Sequence, residues 1–392
     1  MVDAIACALL ATADDACMQV IAPPYSTGRT DGARVLGTRL AASPVDAAFA
    51  TGTLVRWLDF NDTWLAKEWG HPSDNLGGLL PLCDHLTRST GASPTVTDLM
   101  TALVQAYEIQ GALADGVALN RHGLDHTAFV RVATAAVATR LLGGARDQVA
   151  AAVAHAFADA GPLRVFRHAP NVTWRKSWAA GDAVARGVWL ADHAMRTAVA
   201  PARPLTTPGW GLQEALLDGE PIDLEGPLGS TTAEGVLLKP WFPGEYHGHS
   251  SVEAGLSVRL RVLPRLDDVE HIEVATREAA VRIIDKRGPL TGHADRDHCL
   301  QYMLVIALLY GARPSAPSRR GCPDGGGQAA PRPGDRAFRR GCRRADRRTA
   351  GPGRARRSAG RRARRPAHPT RSSRADIGPG PRSGRRSPRS CP

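Results

Sequence analysis

The chain has 392 residues, 43% of them hydrophobic, which suits a globular protein with room for two domains. Its formal net charge of +12 is unevenly placed: residues 313–392 contain 24 arginines, no lysine and four acidic residues. Residues 1–312 contain 26 basic and 34 acidic residues, so this larger part is acidic and its charge argues against a nucleic-acid-binding fold.

Residues 1 to about 200 are rich in alanine and carry three helix signals in order. Residues 43–46 supply a capping serine, a proline at the first helical position and an acid near the positive end of the helix dipole. Residues 97–98 begin a second helix, and Asp125 begins a third that ends at Gly143. Because alanine lets helices approach closely, we predict helices packed on helices.

Prolines punctuate the chain after residue 200, and a mixed pattern follows. Residues 272–276 alternate between apolar and polar side chains, which predicts a half-buried strand. Residues 250–262 instead have the pattern of a helix. Residues from about 236 to 312 are therefore predicted to form a second, smaller α+β domain.

From residue 313 onward the chain consists mainly of arginine, proline, glycine, alanine and serine in irregular order. Such a segment has too few apolar residues to offset the entropy of ordering it, so we predict a disordered tail. A basic segment with arginine but no lysine is what a GC-rich gene yields when it is read out of frame. We interpret the change as a frameshift near codon 312, which sequencing the locus for a one- or two-base insertion or deletion would test.

The cysteines lie at positions 7, 17, 83, 299, 322, 342 and 391, without a C-x-x-C pair. This pattern predicts neither a disulfide framework nor a zinc or iron–sulfur centre. Asp3 precedes the first basic residue, Arg29, and no run approaches the roughly 18 apolar residues of a membrane span. We therefore expect a cytoplasmic protein with no membrane span, no metal and no other cofactor.

Two clusters in the first half of the chain carry the densest polar chemistry. Residues 56–75 contain three tryptophans, four acids, a histidine and a proline, which indicates a site positioned by the surrounding helices; a capped helix junction with packed indoles is the alternative. Residues 120–127 place His126 at a predicted helix start, where the dipole favours a neutral imidazole suited to acid–base work. A purely structural histidine is the alternative there.

Three further clusters lie later in the chain. Residues 164–178 concentrate arginines, a histidine and Lys176, cations that suit a polycarboxylate ligand or form a solvated basic face. Residues 239–247 and 295–302 supply Lys239, His247 and Tyr302 as candidate proton carriers or carboxylate ligands.

Four of these stretches, residues 56–75, 120–136, 163–183 and 278–303, strongly resemble the MmgE/PrpD family, and the resemblance covers residues 1 to about 312. It implies a mainly α protein: a large helical domain over 1–235, an incomplete α+β lid domain over 236–312, and the tail over 313–392. It also implies a homodimer without metal or iron–sulfur cluster. The implied activity is dehydration of 2-methylcitrate to 2-methyl-cis-aconitate, in the methylcitrate cycle of propionate breakdown.

The resemblance also implies an active cleft between the two domains. Matched residue by residue, the candidate catalytic residues are Asp59, Thr63, His71, His126 and Tyr302, and the candidate substrate-binding residues are Lys176, Lys239 and His247. His247 is the least direct match, because Glu245 stands here where related decarboxylases carry a histidine.

Eliminating water from a tricarboxylic acid requires a base, an acid and cations that stabilise the developing charge. We expect proton transfer from Asp59, His71 and His126, carboxylate binding by Lys176 and Lys239, and an acid role for Tyr302, without deciding between base and acid. Two alternatives remain open. One is another enzyme of the family acting on citrate or cis-aconitate as dehydratase, decarboxylase or epimerase; the other is an inactive frameshifted product whose tail binds nucleic acid without specificity.

Overall fold

Helices account for nearly all the regular structure in the part of the chain that the computed structural model describes, namely residues 1–22, 32–168, 172–224, 228–229, 231–239, 241–286, 289–290 and 292–311. The α-helices are α1 (Val2–Ala11), α2 (Asp15–Ile21), α3 (Pro44–Arg56), α4 (Leu76–Ser89), α5 (Val96–Gly116), α6 (Thr127–Leu141), α7 (Arg146–Ala158), α8 (Arg175–Arg196), α9 (Leu212–Leu216), α10 (Thr231–Gly235), α11 (His249–Val262), α12 (Glu278–Ile284), α13 (His293–Arg296) and α14 (Leu300–Tyr310). Short 3₁₀ turns lie at Pro72–Asn75, Leu119–His122, Arg164–Arg167, Tyr246–Gly248 and Leu263–Asp268. The strands β1 (Ala33–Arg34) and β2 (Ala41–Ala42) form one antiparallel pair. The prediction of a mainly α fold is confirmed.

Local capping explains why the helices begin where they do. The Ser43 hydroxyl accepts a hydrogen bond from the Asp46 amide, and Pro44 occupies the first turn of α3. Thr95 and Asp98 form a reciprocal capping box at the start of α5. Helix α6 begins at Thr127, two residues after the predicted Asp125. The predicted helix starts therefore hold to within two residues.

Helices α3, α4, α6 and α8 form the centre of the helical part. A methyl group added to Gly77 of α4 would lie 2.3 Å from the Cα of Gly52 in α3, so these backbones almost touch. Gly181 of α8 is equally close to α3, with the Phe49 carbonyl oxygen 2.4 Å from where its Cβ would lie. Leu54, Leu76 and Leu79 complete a buried apolar core between these helices.

The second region follows the prediction only in its helices. Helix α11 matches the predicted helix over 250–262, but residues 272–276, predicted as a strand, carry no regular structure and are mostly exposed. That prediction is wrong, because a strand is stabilised by a neighbouring strand, and none pairs with this segment among the described residues. The described residues of the predicted lid domain therefore contain no β-strand. The one β-type contact described near the start of this region is an isolated bridge between Leu237 and Thr63.

The domain boundary near residue 235 stays a prediction, and the predicted tail over 313–392 lies outside the described residues. Cys7, Cys17, Cys83 and Cys299 are buried free thiols. Of the described helices, none alone has the length and apolar character to cross a bilayer; α1 and α2 meet that criterion only as a pair bent by 102°.

Candidate active site

The site is centred on Asp59, in the turn that follows α3. Its backbone is in the left-handed region, with φ of 49°, and its side chain is fully buried. A non-glycine residue adopts this conformation at a cost that surrounding interactions must offset. The conformation is retained here because both the carboxylate and the carbonyl of Asp59 are bonded: the carbonyl accepts from the Gly244 amide at 2.9 Å and from Lys239 Nζ at 3.0 Å.

Three cationic side chains contact the Asp59 carboxylate. Arg56 Nη1 lies 2.5 Å and Lys239 Nζ 2.8 Å from Oδ1, while Lys176 Nζ lies 3.1 Å from Oδ2. Burial alone would raise the pKa of Asp59, but these cations and His298 lower it well below its ordinary value. Asp59 is therefore an ionised carboxylate at neutral pH and a weak base.

Lys176 joins two carboxylates from distant parts of the chain. It lies in the first turn of α8, fully buried, and its Nζ contacts Asp297 Oδ2 at 2.7 Å as well as Asp59. Burial lowers the pKa of Lys176, and the two carboxylates oppose that shift. Since an uncompensated buried ammonium is costly, the carboxylates are what keep this cation charged inside the protein.

His71 presents a defined tautomer. Its Nδ1 lies 2.5 Å from the backbone oxygen of Asp62, and because a carbonyl can only accept, Nδ1 carries the proton and Nε2 has the lone pair. Burial lowers the pKa of His71 well below its ordinary value, so the ring is neutral at pH 7. The Asp62 carboxylate is in turn held by Ser73 and by the Tyr107 hydroxyl, which fixes the backbone that orients the histidine.

The side chains of His126 and Thr63 are buried and have no hydrogen-bond partner among the described residues, although His126 Nδ1 lies 3.7 Å from Asp125 Oδ1. Neither ring nitrogen of His126 makes a hydrogen bond, and the Thr63 hydroxyl makes none either. The His126 ring lies edge-on to His71, with ring centroids 5.5 Å apart, and burial lowers its pKa well below the ordinary value. Buried polar atoms are nearly always bonded, so these groups indicate a place for a polar ligand.

The two histidines and the Asp59 cluster belong to one electrostatic unit. After burial, the charges of Arg56, Lys239 and Asp59 are the next contributors to the pKa of His71. The structure thus brings Asp59, Lys176 and Lys239 into direct contact and places His71 and His126 beside each other.

The two remaining predicted site residues, His247 and Tyr302, make no direct contact with Asp59 among the interactions described above. His247 pairs with Glu245, with Nδ1 2.7 Å from Oε1, and its ring packs on Trp69 rather than on Asp59. The Glu245 amide, however, donates to the Asp297 carbonyl at 2.8 Å, so this segment adjoins the cluster. Tyr302 is half-buried in the first turn of α14, and its role stays a prediction.

Two arginines of the basic cluster over residues 164–178, for which a polycarboxylate ligand and a solvated basic face were both open, pair with buried acids instead. Arg164 lies 3.4 Å from both Glu68 and Asp125, and Arg167 also pairs with Asp125. Both are buried, so of this cluster Lys176 is the cation that reaches the Asp59 carboxylate. Arg164 and Arg167 instead support the start of α6, just before His126.

Sequence reasoning did not select Arg56, Asp297 or His298. The spacing of Arg56 and Asp59, three residues apart at a helix end, was a usable signal for the first ion pair. Asp297 and His298 lie within residues 295–302, the polar cluster from which the sequence predicts Tyr302 as a site residue.

One group of described residues has ligand atoms close enough to share a metal ion: Asp59, Asp297 and His298, with atoms within 4.8 Å of one another. Lys176 already contacts both of these carboxylates, and Lys239 contacts Asp59. A divalent cation would have to displace or repel two buried ammonium groups, so this donor set favours an internal ion-pair cluster over a metal centre.

Two family models match the chain: the MmgE/PrpD N-terminal domain over residues 1–225 and the MmgE/PrpD C-terminal domain over 242–317. The 2-methylcitrate dehydratases of Escherichia coli strain K12 and of Cupriavidus necator are each 44% identical over 319 residues, which is 79% of this chain and 66% of theirs. A Saccharomyces cerevisiae protein named probable 2-methylcitrate dehydratase is 43% identical over 325 residues, covering 63% of its own length. The chain therefore spans just under two thirds of the length of these relatives.

Proposed function

The chain belongs to the MmgE/PrpD family, and from this premise we propose that it is a hydro-lyase that converts 2-methylcitrate to 2-methyl-cis-aconitate. The observation that carries the proposal is the pair of buried lysines, Lys176 and Lys239, that meet on Asp59 beside two neutral histidines. Buried ammonium groups suit a substrate with three carboxylates. The names of the relatives supply the substrate.

In the proposed reaction, a base removes a proton from the carbon next to a carboxylate, the C–O bond breaks, and a C=C bond forms. The hydroxyl leaves as water after receiving a proton from an acid. Lys176 and Lys239 bind the carboxylates and stabilise the enediolate-like charge. We assign the base to His71 Nε2 rather than to Asp59, because three cations contact the Asp59 carboxylate, whereas the Nδ1 bond to the Asp62 carbonyl leaves the lone pair on His71 Nε2.

The leaving side of the reaction is assigned to Thr63, His126 and Tyr302. The buried Thr63 hydroxyl and His126 ring, which make no hydrogen bond among the described residues, can orient the substrate hydroxyl, and we assign the acid to Tyr302. A positioned acid or base of this kind contributes on the order of 10²–10⁴-fold to the rate.

An assay of the purified full chain with 2-methylcitrate tests the proposal. We expect alkene absorbance to rise without release of carbon dioxide, whereas cis-aconitate and citrate, supplied separately, report a decarboxylase or a different dehydratase. Replacing Lys176 or Lys239 by methionine should lower kcat/KM by on the order of 10²–10³-fold, because each removes a cation aimed at developing charge. Lys67→Met is the matched control, since Lys67 is exposed. A kcat/KM close to the wild-type value in either buried-lysine variant would contradict the assignment.

We also propose a homodimer, a cytoplasmic location and a role in propionate breakdown. The family resemblance supports the first and last, and the cysteine pattern supports a reducing compartment. Light scattering after size exclusion, and fractionation of the source cells, test the first two.

A further inference from the structure

Asp297 and His298, in the turn before α14, close a ring of side chains around the candidate site. Asp297 accepts from Lys176 Nζ on Oδ2 at 2.7 Å and faces His298 Nδ1 through Oδ1 at 2.9 Å. Asp59 Oδ2 faces the same two groups, at 3.1 Å from Lys176 and 3.4 Å from His298 Nδ1. The four side chains therefore form a cycle in which each carboxylate lies between the lysine and the histidine.

The ring sets the tautomer of His298. Burial would raise the pKa of Asp297, but Lys176 and His298 lower it, and Asp59 is likewise ionised. Ionised carboxylates only accept hydrogen bonds, so Nδ1, which faces both, carries a hydrogen. Burial lowers the pKa of His298, and the nearby ammonium of Lys176 lowers it further, so the ring is neutral at pH 7.

The ring joins three segments that are far apart in sequence. Asp59 follows α3, Lys176 lies in the first turn of α8, and the Asp297–His298 pair precedes α14. The Asp297 carbonyl also accepts from the Glu245 amide, which ties in a fourth segment. Removing Asp297 would leave the ammonium of Lys176 with Asp59 as its remaining carboxylate partner in the ring, so its direction would no longer be fixed.

We propose that Asp297 and His298 are positioning residues, which together hold Lys176 and Asp59 in the arrangement that receives a substrate carboxylate. The role rests on the proposed function for its substrate, but the ring itself is a property of the free protein. His298 acts through the hydrogen on Nδ1, which it donates to Asp297 while the same nitrogen faces the Asp59 carboxylate at 3.4 Å. Neither residue transfers a proton to or from the substrate.

Two variants of His298 separate positioning from proton transfer. His298→Asn places an amide N–H near the position of Nδ1 and has no titratable group, whereas His298→Phe keeps the ring volume without a donor. We expect His298→Asn to stay within about threefold of the wild-type kcat/KM. His298→Phe should lose about 10²-fold, the typical cost of a misplaced catalytic group. Equal losses in both variants, or no loss in His298→Phe, would overturn the proposal.

A second measurement does not depend on turnover. The chain contains only four lysines, at positions 67, 176, 239 and 286, so their side-chain NMR signals can be assigned by four single Lys→Arg variants. In the free protein, Asp297→Asn should lower the pKa of Lys176, because Asp297 is the largest influence raising it. Lys67, which is exposed, serves as the internal control for folding in the same spectra.

An unchanged Lys176 pKa in Asp297→Asn, with the Lys67 signal as in the wild type, would reject the ring as the support of this lysine. A wild-type chain inert toward 2-methylcitrate would reject the proposed function alone, and the lysine titration would then decide the positioning role by itself.

Discussion

A single backbone atom determines what His71 can do. Because Nδ1 donates to the Asp62 carbonyl, the basic nitrogen is Nε2, and burial keeps the ring neutral at physiological pH. The Asp62 side chain takes no part in this bond. Its carboxylate accepts hydrogen bonds from the Ser73 and Tyr107 hydroxyls, and these bonds fix the position of the Asp62 backbone carbonyl. The catalytic form of the histidine is thus set by its neighbours.

We expect His71→Asn to lower kcat by on the order of 10²–10⁴-fold. The asparagine amide can still donate to the Asp62 carbonyl, so the fold is retained, but the basic nitrogen is lost. Steady-state kinetics with 2-methylcitrate measure the change, and an unchanged melting temperature shows that the fold is intact. A variant that keeps more than a tenth of the wild-type kcat would exclude His71 as the base.

The pH dependence of kcat/KM provides a separate check on the same residue. A base must be unprotonated, so activity rises with pH through its pKa; burial lowers the pKa of His71, which places the acid limb below the ordinary value of 6.5. We expect a flat profile from pH 6.5 to 7.5. An acid limb centred above pH 6.5 would contradict this assignment.

Among the helices, close approach rather than charge brings the site together. Gly181 of α8 lies against Phe49 of α3 at a distance that leaves no room for a side chain. Lys176 is five residues before Gly181, and Arg56 lies in the last turn of α3. The same contact that packs these helices therefore brings the lysine to the end of α3, where Asp59 follows.

Gly181→Ala should lower the free energy of unfolding by about 1–3 kcal/mol, because the added methyl would clash with the α3 backbone. Urea denaturation measures this loss. Gly229→Ala is the control, since a methyl there meets no atom of the described residues within 4 Å. Equal stability of the two variants would show that the close packing of α3 against α8 at Gly181 does not limit the stability of the fold.

For the molecule as a whole, buried ionisable groups give stability a dependence on pH from two opposing sources. Burial raises the pKa of Asp74 to about 7, so its contribution to stability is complete below pH 3.8 and is lost as the pH rises to about 7. Burial lowers the pKa of His71 and His126, so their unfolded forms gain protons first and stability falls as the pH drops below 6.5. The wild-type profile mixes both.

Comparing wild type with Asp74→Asn isolates the acid. The free energy of unfolding of the wild type, relative to the variant, should fall between pH 4 and pH 7 by at most about 4 kcal/mol, a bound set by about three pKa units at 1.36 kcal/mol each. Urea titrations at several pH values measure the difference, from which the shared histidine effects cancel. Parallel profiles would show that Asp74 ionises normally in the folded protein.

Family membership, the mainly α fold and the starts of α3, α5 and α6 were predictable from the sequence. Caps and apolar periodicity act within one or two turns, so the residues that determine them are adjacent in the chain. Asp59, Lys176 and Lys239 were predicted from motifs. In the structure, the Nζ atoms of both lysines lie within 3.1 Å of the Asp59 carboxylate.

Tertiary structure alone decided how those motifs are used. It assigned Arg164 and Arg167 to buried acids, added Asp297 and His298 to the site, and left residues 272–276 without a strand partner in the part of the chain that the structure describes. Each outcome depends on which distant segment lies opposite, and that follows from how closely the helices pack. An ion pair, a histidine tautomer or a strand needs a partner within a few ångströms, and a local sequence pattern does not specify that partner.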